Sequence, residues 1–216
     1  MLFVAGADKQ RANMLRAAEA VGARHIKVGG DFTGGPFEPD HMAEEFYALA
    51  TDAAVAGTRV VFEPMPFVNV TTPQQAPEFV QKANHPAGKI LIDIWHLVRA
   101  GVGIASLGDT PGEYIGHIEL NDAPMNFEGD IIADTFTGRT FCSGEGEFDV
   151  AGFSSMRSRR RASAAPGVWS SWAPHTESCP LTSALLATGC RGPIAATRRV
   201  PWFLFAESAA QPPRPR

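Results

Sequence analysis

The chain has only three cysteines, Cys142, Cys179 and Cys190. They make no even set, which excludes a disulfide framework and leads us to expect a reducing, cytoplasmic setting. No apolar run approaches the ~20 residues that a membrane helix needs, so no membrane partner is expected. The opening MLFVAGADKQ is too short and too soon charged for a signal peptide. The phosphate-cradling patterns GxGxxG and GxxxxGK[ST] are both missing, which takes weight from the nucleotide-binding doubly wound folds. A formal net charge of −4 offers no general attraction to nucleic acid.

What is present is a chain of 216 residues, 44% hydrophobic, long enough for one sizeable core. Its charge is unevenly spread. Residues 157–216 hold nine of the 19 Lys+Arg, all arginine, and two of the 23 Asp+Glu, Glu177 and Glu207, a formal +7. The first 156 residues hold the remaining ten and 21, a formal −11. Trp169, Trp172 and Trp202 crowd the end with Pro and Ser, and no helical or strand period shows there. We therefore expect one α/β domain over 1–156 and an irregular, disordered tail over 157–216.

Within 1–156, strand and helix signals alternate. Met14, Leu15, Ala18 and Val21 share a helical face over 11–21, closed by Gly22. ARHIKVGG (23–30) reads as a strand. Met42, Phe46, Leu49 and Ala53 mark a helix over 40–56, with Gly57 as its stop. RVVFEPMP (59–66) is a second strand. Thr72 before Pro73 reads as a helix cap, with the helix running to about Asn84. KILIDIWHL and YIGHIELNDAP (114–124) are the next two strands. This rhythm predicts βαβ units and a parallel sheet. Without a glycine-rich phosphate loop, a (β/α)8 barrel is favoured, where reactive residues stand at the C-terminal ends of strands.

The acids follow that rule. Glu63 ends RVVFE, Asp93 lies late in KILID, and Glu119 lies late in IGHIE, followed by Asn121 and Asp122. A carboxylate among Ile90, Leu91, Ile92 and Ile94 is costly to bury unpaired. Three acids converging on one barrel mouth repel unless a cation lies between them. His117, two residues before Glu119, faces the same way and could add a nitrogen ligand. Oxygen donors suit Mn²⁺ or Mg²⁺, and a mixed set also accepts Co²⁺ or Zn²⁺. Each residue has a plainer interpretation: a solvated strand-end acid, or a packing histidine in the case of His96. His25, His41 and His85 read as loop or surface residues.

FEPMPF, ILIDIWHLVRAG, IGHIELNDAP and FCSGEGEFDVAGF, in that order, resemble the sugar phosphate isomerase/epimerase family of the xylose isomerase-like TIM barrel superfamily. The resemblance covers about residues 5–156. It implies a divalent metal, most often Mn²⁺, held by Glu, Asp, His and Glu from the last four strands. Glu63 matches the first ligand and the catalytic acid/base, and Asp93 the second. Glu119 stands where the family often has histidine, and His117 could substitute for it. His96, in the pattern D-x-x-H, and Arg139 match substrate-contacting residues, with Asn121 and Asp122 beside them. The implied chemistry is proton transfer through an enediolate on a sugar or sugar phosphate. An inosose-dehydratase-like lyase and an inactive truncated relic are the alternatives. A homo-oligomer is expected, as the family commonly forms dimers or tetramers.

The family's final Glu strand is not visible after Met156, nor are strands matching its first two or three before ARHIKVGG. We expect a barrel truncated at its front, with a tail translated in a shifted frame. VWSSW (168–172), encoded as GTN-TGG-AGY-TCN-TGG, would give Leu/Met/Val, Glu, Phe/Leu, Leu/Met/Val when started at the third base. A coding sequence with no such alternative strand would refute the shift.

Overall fold

The computed structural model describes residues 8–139 and 144–159. Of the anticipated tail only 157–159 fall among them; VWSSW and the remainder lie outside. Helix α1 (Asp8–Val21) leads into strand β1 (Ile26–Gly29). Then come α2 (Pro39–Val55), β2 (Val60–Glu63), α3 (Ala76–Ala83) and β3 (Gly88–Asp93). Helix α4 (Ile94–Arg99), two 3-10 turns (Ile104–Asp109 and Gly112–Tyr114) and β4 (Ile115–Glu119) follow. Helices α5 (Ile131–Thr137) and α6 (Val150–Arg159) complete the described chain. Helix α6 carries regular structure a little past the boundary that composition placed at 156.

The four strands are parallel, and their order in the sheet is their order in the chain. A doubly wound sheet reverses direction at a switch point, whereas a barrel adds each strand beside the last. This sheet follows the barrel pattern. Gly29 pairs with Glu63, and Asp93 with Glu119, so the C-terminal ends of neighbouring strands lie level.

Alternation sorts the side chains onto two faces. Ile26, Val28, Val60, Phe62, Ile90 and Ile92 belong to the apolar core with the helices. At its centre Phe46 of α2, Phe62 of β2 and Phe79 of α3 meet edge to face, with ring centroids 4.9 to 6.4 Å apart. Gly88 lets α2 approach: a Cβ there would lie 2.7 Å from Phe46 Cε1. All four apolar markers of the second helix, Met42, Phe46, Leu49 and Ala53, are buried.

Several boundaries differ from expectation: α1 already starts at Asp8, and β4 ends at Glu119, so 120–124 lie beyond the strand. Helix α3 starts at Ala76, not at Pro73. The Gln75 side chain accepts hydrogen bonds from the Thr71 and Thr72 amides and the Thr71 hydroxyl, which holds 71–75 as a turn. Strand β3 stops at Asp93, and Ile94 already begins α4. Asp93 is that helix's N-cap: its Oδ1 accepts from the Trp95 amide at 2.8 Å.

Candidate functional site

The sheet's other face carries the polar residues. Glu63, Asp93 and Glu119 each occupy the last position of a strand. All three are at most 9% exposed. Their burial is supported by placed partners, as buried charge requires.

Asp93 has the fullest set. Its Oδ1 accepts from the Trp95 amide and from Asn121 Nδ2 at 2.9 Å. Its Oδ2 pairs with Arg139, whose guanidinium also lies 4.9 Å from the centre of the Trp95 ring. Burial lowers the pKa of Arg139 to about 10, against the pull of Glu63.

Glu63 and Glu119 share Lys27. The Lys27 Nζ lies 3.3 and 3.2 Å from the two Glu63 oxygens and 3.1 Å from both Glu119 oxygens. In sequence, Lys27 reads only as part of a strand. Its signal is the lone lysine between Ile26 and Val28, which alternation points away from the core. Burial raises the pKa of Glu63, but Lys27, His96 and Arg139 outweigh it and hold the carboxyl below its ordinary value. Glu119 moves the other way: burial raises its pKa and Glu63 adds to that, against Lys27. Lys27 itself is raised, because the two glutamates overcome its burial.

His96 projects from α4 toward Glu63 and Asp93, its Nε2 lying 3.5 Å from Glu63 Oε1 and 3.9 Å from Asp93 Oδ2. Burial brings its pKa to about 4; Glu63 opposes this and Lys27 adds to it. The imidazole is thus neutral near pH 7, the form that binds metals. Its Nδ1 is buried without a hydrogen-bond partner. Glu63, Asp93 and His96 each offer a donor atom within 4.8 Å of the others'. Two carboxylates and a neutral imidazole fit a divalent cation.

The other anticipated residues take different places. Glu119 and His117 stand on the Lys27 side, with His117 Nε2 3.8 Å from Glu119 Oε1. His96, matched by resemblance to a substrate contact, lies with its Nε2 beside Glu63 and Asp93. His117 packs against His25 at 4.4 Å between ring centroids, so His25, in the loop just before β1, is a half-buried neighbour of the site. Asp122 is fully buried, and its carboxylate accepts from the amides of Ala123, Gly144 and Phe148 at 2.9, 2.6 and 3.1 Å. It fastens the GEGEFD turn that leads into α6. Arg99, given no role from sequence, ties the next loop down. It donates to Asp134, to the Met125 carbonyl and to the Pro124 carbonyl at 2.7 to 2.9 Å.

A sequence profile described as Xylose isomerase-like TIM barrel matches residues 7–172. The chain belongs to that family. The 3-dehydroshikimate dehydratase of Pseudomonas aeruginosa is 32% identical over 117 residues, which is 54% of this chain and 18% of that protein. Among solved structures, a xylose isomerase-like TIM barrel/4-hydroxyphenylpyruvate dioxygenase fusion protein superposes with a TM-score of 0.67 at 21% identity. That match covers 74% of this chain and 26% of the fusion protein. The IOLI protein, solved with a zinc atom, gives 0.63 at 19% identity, over 77% of this chain and 60% of its own. The chain thus spans less than two thirds of each relative. These likenesses establish a barrel fold. Among the described residues, no helix is long and apolar enough to cross a membrane.

Proposed function

We propose that this chain carries the metal-dependent proton-transfer site of an enzyme acting on a small, hydroxylated carbonyl compound, and that its reaction is a dehydration of the 3-dehydroshikimate type. The observation that carries this is the buried Glu63–Asp93–His96 cluster, with donor atoms within 4.8 Å, at the C-terminal ends of adjacent strands. A divalent cation held by these three residues supplies Lewis-acid polarisation of a carbonyl, which acidifies the neighbouring C–H.

The chain's own groups divide the remaining work. Glu63 is ionised at neutral pH and receives the proton at a carboxylate oxygen. Burial and Glu63 raise the pKa of Glu119 against the pull of Lys27, so it takes up a proton more readily than Glu63. Two carboxyls pushed apart in this way suit a base and an acid, and Glu119 delivers a proton to the departing hydroxyl. The Arg139 Nε is buried without a hydrogen-bond partner, which leaves a donor for an anionic group of the substrate. Asn121 keeps Asp93 oriented.

The same constellation also serves a sugar or sugar-phosphate isomerase or epimerase, in which the abstracted proton returns to the carbon skeleton. The 32% identity to a dehydratase favours loss of water. Calorimetric titration of the 216-residue chain with Mn²⁺, beside a Glu63→Ala/Asp93→Ala variant, tests the site. Micromolar binding in the native chain and none in the variant is expected. Incubation with 3-dehydroshikimate should then yield a product lighter by one water. An isomer of a supplied ketose, with no dehydration, would select the other branch. No Mn²⁺ binding by folded native chain would overturn the metal reading.

A further inference from the structure

Trp95 is fully buried, yet its ring carries the charges of two arginines. The Arg139 guanidinium lies over the ring at 4.9 Å from its centre, and that of Arg99 at 5.4 Å. Each is balanced by one acid, Arg139 by Asp93 and Arg99 by Asp134. A cation over an aromatic face is held by the ring's quadrupole, best by tryptophan and more firmly where water is excluded.

The segment that delivers Arg139 is fastened by Arg99. Arg99 Nε donates to Asp134 Oδ2 at 2.7 Å, in the middle of α5. Gly138 closes that helix. Its amide donates to the Asp134 carbonyl at 2.8 Å, and a Cβ at 138 would run into the Asp134 carboxylate. Arg139 is the next residue. Arg99 thus fixes where its backbone begins, while Asp93 and Trp95 fix where its guanidinium ends. With Nη2 committed to Asp93, the Nε is left buried without a hydrogen-bond partner. A second carboxylate in place of Trp95 would take up such donors; a ring face attracts the charge and leaves them for another acceptor.

We propose that Trp95 is a positioning residue, a platform that holds the Arg139 guanidinium so that its free Nε–H meets an anionic group of the substrate. Trp95 therefore acts on recognition of the anion and not on proton transfer.

This rests on the proposed role of Arg139, and the test separates the two. The probes are shikimate, whose hydroxyl in place of the ketone prevents reaction, and its neutral carboxamide. Dissociation constants are measured by calorimetry on the full chain with Mn²⁺ present. The native chain should bind the carboxylate more tightly than the amide. Replacing tryptophan with mono-, di- and trifluorotryptophan in turn withdraws charge from the ring face at nearly constant volume. Shikimate affinity should fall stepwise, by about tenfold over the series, as the hold on the cation weakens. Amide affinity should not change. Trp169, Trp172 and Trp202 are exchanged as well, so the series is repeated in Trp95→Phe, where it should have no effect. Trp95→Phe itself keeps a ring and should retain most of the preference, and Trp95→Leu should lose it. If fluorination leaves the preference unchanged, or if carboxylate and amide weaken together, Trp95 supports only the fold. The proposal then fails with the reading of Arg139 intact. A native chain that does not prefer the carboxylate overturns both. If Trp95→Leu does not fold, the fluorinated series decides by the same criteria.

Discussion

On the helix side of the sheet, Phe62, Ile90 and Ile92 are sealed from solvent among apolar neighbours. One residue further along, on the opposite side, Glu63 and Asp93 are nearly as buried but lie among charges. The same strands therefore carry two interiors under different constraints. The first is governed by volume and apolar area, and tolerates changes of shape poorly. The second is governed by charge balance: Lys27 and Arg139 stand against Glu63, Asp93 and Glu119. A substitution that preserves volume but removes a charge should be mild on the first face and severe on the second.

The largest expected effect is on the volume side. Phe62→Ala empties the centre of the Phe46–Phe62–Phe79 cluster and should lower the unfolding free energy by about 3–5 kcal/mol in urea titration. A loss below about 1 kcal/mol would mean that the cluster collapses into the space, and that this face is less tightly packed than its burial implies.

On the charge side, Lys27→Met keeps an unbranched apolar stem but leaves Glu63 and Glu119 facing each other. In metal-free buffer it should cost about 3 kcal/mol, as when one partner of a buried ion pair is removed. Lys27→Met/Glu119→Gln, which also takes away a negative charge, should recover most of that loss. Equal costs for the single and double variants would mean that the Lys27 stem, and not its charge, supports the site.

Asp122 tests a boundary between the two interiors. Its side chain is as buried as Phe62, yet it accepts three backbone amides. Asp122→Ala strands those donors and should cost about 2 kcal/mol. It should also raise hydrogen exchange at Gly144 and Phe148 specifically. An unchanged exchange pattern would show that the GEGEFD turn is held by other bonds.

The apolar face is the more legible of the two in sequence. Its markers at spacings of three and four are inherent to an amphipathic helix, and Met42, Phe46, Leu49 and Ala53 all fall where the period puts them. The three acids at strand ends are equally plain, because a charge that closes an apolar run stands out against its neighbours. The partners of those acids are hidden. Lys27 reaches Glu119 across 92 positions of sequence, and Arg139 reaches Asp93 across 46. No local pattern encodes a contact of that range. Short elements are hidden too. Helix α4 reads as strand because Ile94 continues an apolar run, and only the cap geometry of Asp93 reveals the turn. Helix α5 has seven residues and its one buried side chain is Asp134, so it presents no apolar stripe to detect.

The smallest expected effect lies on neither face but in the loop after β1. Asp31 is half-buried, and its pKa is lowered first by the Thr33 amide, then by the Thr33 hydroxyl, with Gly35 contributing. A carboxylate depressed in the folded state binds fewer protons there than in the unfolded chain. Its stabilising contribution is therefore complete above the ordinary carboxylate range and lost as pH falls through the folded value. Melting temperatures of the native chain and Asp31→Asn should differ by a small constant amount above about pH 5 and converge below about pH 3. Because solvent reaches this loop, added salt should shrink the difference more than it does the Lys27 effect, which deeper burial shields from screening. A difference that grew on acidification would reverse the sign and show that the loop is held by the protonated acid.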